Sequence, residues 1–291
     1  MRLRALDELY FGLRAWGARV GQWMKRAQAD DHPRPFLEGN VALIRDLLGD
    51  AETGVRMVIN IGPDALLAFL RSDTYRNAYD IAVIGGPARG PEQARLDVDA
   101  LLGIDAANTY FGALALDGAG VRYYGAHCMV IGRAHVADDT PLFDRDSYDL
   151  LVPPLAGRSP ARTQRIVRSL RGRWADDAVE MLIMKLLPRL PAQQHLITVG
   201  NVSRLVMSDQ EFVEVHRRGS IRIAHLDEVR HAQEDAALEA WVYGKARQRQ
   251  SPTLVELRWL GQRDAVSRAL QRARVPQRLA SRQGKGDPWS V

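Results

Sequence analysis

Between Val55 and Val229 the chain breaks into short, β-branched and aromatic runs separated by turn residues, while helical periodicity is concentrated before and after them. "VRMVINI", "TYFGALAL", "VRYYGAHCMVIG", "HLITVGNVSRLVM", "EFVEVHR" and "SIRIAHL" read as strands, and few helical segments stand between them. A regular strand–helix alternation would predict a parallel sheet with crossover helices. This order instead predicts an α+β protein.

The helices have their own local signals. Pro63 and Asp64 open a helix after the first strand, with Leu66, Leu67 and Leu70 on its apolar face. "QARLDVDALLG" is a second short helix closed by Gly103, and Asp176 to Leu187 is a third, capped by Asp176 or Asp177 and stopped by Pro188. "TYFGALAL", the turn "DGAG" and "VRYYGAHCMVIG" together predict a hairpin. At the front, Leu6, Leu9, Leu13, Trp16, Val20 and Trp23 recur at helical spacing, so a basic amphipathic helix is expected, either packed on the body, the favoured reading, or serving as a membrane-surface or secretion-related arm. Pro33, Pro35 and Gly39 separate it from a short helix at Ala42 to Leu48. Helices are also expected around Asp235 to Arg247 and Arg263 to Arg274. The resulting division is an N-terminal helical arm (1–50), a central domain (51–235) and a C-terminal basic helical tail (236–291).

Charge is unevenly placed. The net charge is +5, and from Arg247 to Lys285 ten basic residues face only Glu256 and Asp264. Such a segment is either a solvated arginine-rich helix or a contact for nucleic acid, an acidic partner or a membrane surface. The single cysteine, Cys128, excludes an internal disulfide framework and suits a reducing compartment, with the cytoplasm as the default. The chain has no apolar window of about 18 residues that would cross a membrane, and its N-terminal arginines are not followed by a continuous apolar core of the signal-peptide kind. Phosphate-loop, dinucleotide-loop, zinc-protease and serine-hydrolase motifs are missing, and the histidines show no metal spacing. Thiol chemistry at Cys128 ranks last, because the adjacent His127 points to the opposite face of a strand.

Glu214 and His216 stand two apart in "EFVEVHRRGSIRI", on one face of an alternating strand. Taken with "PDALLAFLRSDTYRN", "IAVIGGPARG", "TYFGAL", "YYG" and "TPLFDRDS" before it, that strand completes a succession similar to bacterial and phage-associated ADP-ribosyltransferase-like domains of the toxin type. The resemblance spans Val55 to Val229 and implies a split β-sandwich core between the helical arm and the basic helices. It implies an enzyme that uses NAD as substrate, without a metal, and transfers ADP-ribose to a protein or nucleic-acid acceptor. Secretion into a target cell by a non-classical route is compatible with it. Glu214 would be the catalytic carboxylate with His216 beside it, where the family commonly has Gln. Tyr110 and Tyr124 would stack on nicotinamide, with Gly112 and Gly125 allowing close approach. Arg56 would clamp the pyrophosphate, and Ser147 or Thr140 would bind ribose or hold Glu214. In this chain Asn60 occupies the likeliest place of the family's strand arginine. The alternative is an inactive scaffold that binds nucleic acid or protein through the arginine-rich C-terminal region.

Overall fold

The computed structural model describes residues 15–29, 34–77, 93–121, 124–147, 160–189, 193–208 and 211–283. The "GGPARG" loop, Tyr123 and the first half of the N-terminal amphipathic segment lie outside them. In chain order the elements are α1 (Trp16–Ala29), α2 (Arg34–Gly49), β1 (Arg56–Ile61), α3 (Pro63–Ser72), α4 (Gln93–Leu102), β2 (Thr109–Ala115), β3 (His127–Ile131) and β4 (Pro141–Phe143). They continue with α5 (Pro160–Ser169), β5 (Arg171–Arg173), α6 (Trp174–Leu186), α7 (Val199–Val206), β6 (Glu214–Arg218), β7 (Leu226–Ala232), α8 (Gln233–Arg247), α9 (Leu254–Arg272) and β8 (Gln277–Ala280).

The eight strands form one sheet in the order β5-β4-β6-β2-β1-β3-β7-β8, so the fold is α+β. The described strands thus join a single sheet where the resemblance implied two. All pairings are antiparallel except β7 with β8. The hairpin expected from β2 and β3 does not form, because both pair with β1, which lies between them. The run Met57, Val58, Ile59 is buried on both faces, and a strand buried that way also needs a partner on each edge.

Directly opposed residues of antiparallel strands share a face, so the register sorts the side chains. Met57, Ile59, Tyr110, Leu114, Met129 and Val215 fall on one face, in the main core. Tyr110 meets Tyr75 at 5.7 Å, and Tyr75 meets Phe69 of α3 at 6.0 Å, which places α3 on this face. Phe111, Ala113, Val58, Glu214, His216 and Phe143 fall on the other. There Phe143 packs with Val98 and Leu102 of α4 and Ile166, Val167 and Leu170 around α5.

The helices at either end are not appendages. Trp16 and Val20 of α1 are buried, and the Trp16 indole donates to the Arg171 carbonyl at 2.9 Å. Arg45 of α2 pairs with Glu180 of α6 at 2.8 Å. At the other end β8 extends the sheet beyond β7. Among the described residues no helix is long and apolar enough to cross a membrane.

Other expectations give way: Pro35 and Gly39 lie inside α2 rather than before it, and α6 starts at Trp174 with Arg173, not Asp176 or Asp177, at its N-cap. "VGNVSRLV" is a helix, α7, rather than a strand, since the Thr198 hydroxyl caps it by accepting from the Asn201 amide. The strand expected at "SIRIAHL" begins only at Leu226, after a 3₁₀ turn at Ile223–His225.

Candidate functional site

Glu214 opens β6, between β4 and β2. Its Oε2 accepts the backbone N–H of Ser147 at 2.7 Å and stands 3.4 Å from His216 Nε2. Both residues are only 5% exposed. The His216 contact lies within ion-pair reach yet fails hydrogen-bond geometry, so Nε2 has no hydrogen-bond partner among the described residues. The imidazole packs edge-on to Phe111 at 5.2 Å and nearly parallel to Phe143 at 6.3 Å. A carboxylate and an imidazole thus share an aromatic niche, where their mutual field is weakly screened.

A second string of contacts reaches the same place from the loop before β3. Tyr124 is 46% exposed, stands edge-on to Phe212 at 6.1 Å, and donates its hydroxyl to Asp146 Oδ2 at 2.9 Å. Asp146 is bonded in sequence to Ser147, whose amide holds Glu214. Tyr124, Asp146, Ser147, Glu214 and His216 are therefore contiguous, although the chain separates the first from the last by 92 residues (216 minus 124). Beside them Arg145 pairs with Asp144 at 3.5 Å, and Lys185 approaches the same carboxylate at 3.6 Å.

The other candidates are placed elsewhere. Arg56 does not point toward this niche. Its guanidinium donates to the carbonyls of Ala51, Glu52, Gly54 and Val55 at 2.6 to 3.1 Å, closing the turn before β1, and lies 3.8 Å from Asp227. A fork whose donors are spent on the main chain is a staple rather than a pyrophosphate clamp. Tyr110 faces the opposite side of the sheet from Glu214, against Tyr75. Gly112 and Gly125 do permit close approach, but to the protein itself. A Cβ at Gly112 would overlap Met57 and Val58, and one at Gly125 would overlap the Ile61 backbone. The Asn60 side chain is committed to the protein, donating to the Ala119 and Gly125 carbonyls and accepting from the Val121 amide. Thr140 is buried in a turn whose carbonyl accepts the Trp174 amide at 3.0 Å.

Sequence reasoning missed Phe111, Phe143, Asp146 as the Tyr124 partner, and Arg145. Phe111 lies inside the expected strand "TYFGALAL", while Phe143 lies in "TPLFDRDS", which carries no strand signal, and which aromatic faces Glu214 depends on the register of β2 and β4 against β6. No local pattern carries that register. No protein family, curated protein or solved structure matches the chain.

Proposed function

We propose that the chain is an ADP-ribosyltransferase-like enzyme of toxin or effector type, which uses NAD and modifies a macromolecular target, with Glu214 as its catalytic carboxylate. One observation carries the reading: Glu214 is fixed by the Ser147 amide and joined, through Asp146, to the half-exposed ring of Tyr124. Loss of nicotinamide takes the bonding electron pair to the nicotinamide nitrogen and leaves positive character on the ribose carbon. A preorganised carboxylate lowers the energy of that charge. The acceptor's nucleophile then bonds to the same carbon and gives up its proton to solvent water. Tyr124 offers a flat ring for the nicotinamide face, and His216 contributes polarity next to Glu214. The cytoplasm as compartment, and a protein or nucleic acid as acceptor, belong to the same proposal.

Incubation with NAD labelled in the adenosine part, with nicotinamide release followed in parallel, tests it. Glu214→Gln keeps the volume and an acceptor for the Ser147 amide, and is expected to lower release or transfer about a hundredfold with the melting temperature little changed. No hydrolysis, transfer or NAD binding, or equal activity in Glu214→Gln, would sink the reading.

A second reading has its own support. Glu214 and His216 are as buried as core residues and enclosed by Phe111 and Phe143, as expected of a polar knot in a scaffold without catalysis. Binding would then rest on cations such as Arg71, Arg268 and Arg272, which edge a cleft of about 430 Å³ floored by Leu67, Leu70 and Ala269. It predicts acidic-ligand or nucleic-acid binding that weakens steeply with salt, has no NAD dependence and is reduced by Arg268→Gln with Arg272→Gln.

A further inference from the structure

The turn between α8 and α9 carries an apolar surface that the fold does not use. Leu254 and Val255, in the first turn of α9, are 84% and 78% exposed, and Leu257 is also exposed. They are held firmly in that position. Thr253 and Glu256 form a reciprocal capping box, the Thr253 amide donating to Glu256 at 2.8 Å and the Glu256 amide to the Thr253 hydroxyl at 3.2 Å. Lys245 near the end of α8 donates to Glu256 at 2.6 Å and lies 3.8 Å over the Trp241 ring. These contacts make one patch of the α9 tip and the α8 surface, where Trp241 is 54% exposed and Leu238 is exposed too.

Charge distinguishes this patch from an ordinary greasy surface. Residues 245–258 hold four cations, Lys245, Arg247, Arg249 and Arg258, against one carboxylate, Glu256, which Lys245 already engages. Arg247, Arg249 and Arg258 are exposed and form no ion pair with any described residue. Two copies meeting through this patch would bring their arginines face to face, at a cost in repulsion. An anionic bilayer surface meets both halves at once. Leu254 and Val255 can enter the acyl boundary while the guanidiniums and the Trp241 ring stay at headgroup depth.

We propose that the α8–α9 tip docks the protein peripherally on anionic phospholipid surfaces, independently of the chemistry at Glu214. The full chain is mixed with phosphatidylcholine vesicles with or without phosphatidylglycerol, and binding is read by co-flotation. Association is expected only with phosphatidylglycerol and should fall as salt rises from roughly 0.1 to 0.5 M. Leu254→Asp with Val255→Asp should lower partitioning at least about tenfold. Because both side chains are exposed and the capping box is untouched, melting should stay unchanged. Arg247→Gln with Arg249→Gln should lower partitioning about tenfold. Lack of association with phosphatidylglycerol vesicles would overturn the proposal, as would association unaffected by the paired aspartates. So would a dimer that those aspartates dissolve without any vesicle binding, since the patch would then be a self-association surface.

Discussion

The Nδ1 atoms of His127 on β3 and His231 on β7 stand 3.1 Å apart, with their rings nearly perpendicular. Only one proton fits between two such nitrogens, so the pair is stable with one ring donating and the other accepting. Burial pushes His127 down to about 3, reinforced by His231 and by Arg263. His231 is also lowered, by burial first and then Arg263, against smaller opposing effects from Gln277, Asp235 and Glu239.

A pH dependence follows with a definite sign. The folded-state pKa of His127 lies below its unfolded value, so the unfolded chain binds more protons between them. Stability is fully present above about pH 6.5 and is lost as pH falls toward 3, by up to about 1.4 kcal/mol per pH unit for this residue alone. Half-buried carboxylates whose pKa is lowered, such as Glu228 and Asp117, lose their contribution only at more acid pH. Urea unfolding between pH 4.5 and 8 should therefore show a rising free energy that flattens near 6.5. His127→Asn, which cannot titrate, should make the slope shallower; an identical slope would assign it to other groups.

Cys128 should be chemically silent in the folded protein. Its side chain is fully buried, and burial pushes its thiol up to about 12, opposed mainly by Arg230. A thiol in that state is neither nucleophile nor metal ligand near neutral pH. Iodoacetamide is expected to label Cys128 only as fast as the protein unfolds, and labelling of native protein at the rate of a free thiol would contradict this. The same burial argues against thiol hydrolysis.

Local signals served where physics is local. Pro63 stands at the start of α3, Gly103 ends the α4 turn at φ 61°, and β1 begins one residue after the expected Val55. Each of those depends on neighbours along the chain. α7 was hidden because Ile197, Val199 and Val206 favour strands by type, while its apolar spacing at Val199, Val202 and Val206 is helical. β8 has four residues and only a parallel partner, so nothing near Gln277 announces it. The candidate site shows the same division. Glu214 and His216 follow from alternation, whereas the Ser147 amide that holds Glu214 comes from 67 residues away. Arg56 failed as a ligand candidate because position beside a strand says nothing of where its donors go.

Asn60 and Gly125 should be jointly required for the loop that carries Tyr124. Asn60 makes three side-chain hydrogen bonds to that loop, two donated and one accepted. Gly125 has φ 155° and leaves no room for a Cβ against Ile61. Gly125→Ala is expected to cost about 3 kcal/mol or more, and Asn60→Ala about 2 kcal/mol, from unmade bonds to partly buried groups. Because both changes free the same loop, the double variant should cost less than the sum. Urea unfolding of the four proteins measures this, and strict additivity would show that the loop is held elsewhere.

The C-terminal basic segment divides into cations that hold the fold and cations that do not, so truncation and charge removal should give opposite results. Arg278 on β8 bonds Glu228 at 3.0 Å and Asp117 at 2.6 Å, and Arg282 bonds Asp235 at 2.6 Å. Gln283 donates to the Asp117 carbonyl at 2.9 Å, and Gly118 packs against its side chain. A chain ending at Pro276 would expose the β7 edge and strip partners from Asp117, Glu228 and Asp235 together. It is expected to lose at least about 3 kcal/mol of stability or fail to fold. Arg278→Ala alone should cost only about 1 kcal/mol, since its side chain is 42% exposed and solvent screens the pair. Arg268→Gln with Arg272→Gln, at exposed positions without ion pairs among the described residues, should stay within about 0.5 kcal/mol. Thermal and urea unfolding of the three proteins distinguishes the sets, and a truncated chain as stable as the full one would refute the structural role of β8. If that role holds, a binding activity lost on deleting the tail is no evidence that the tail touches the ligand; only the paired Arg→Gln variant asks that question in a folded protein.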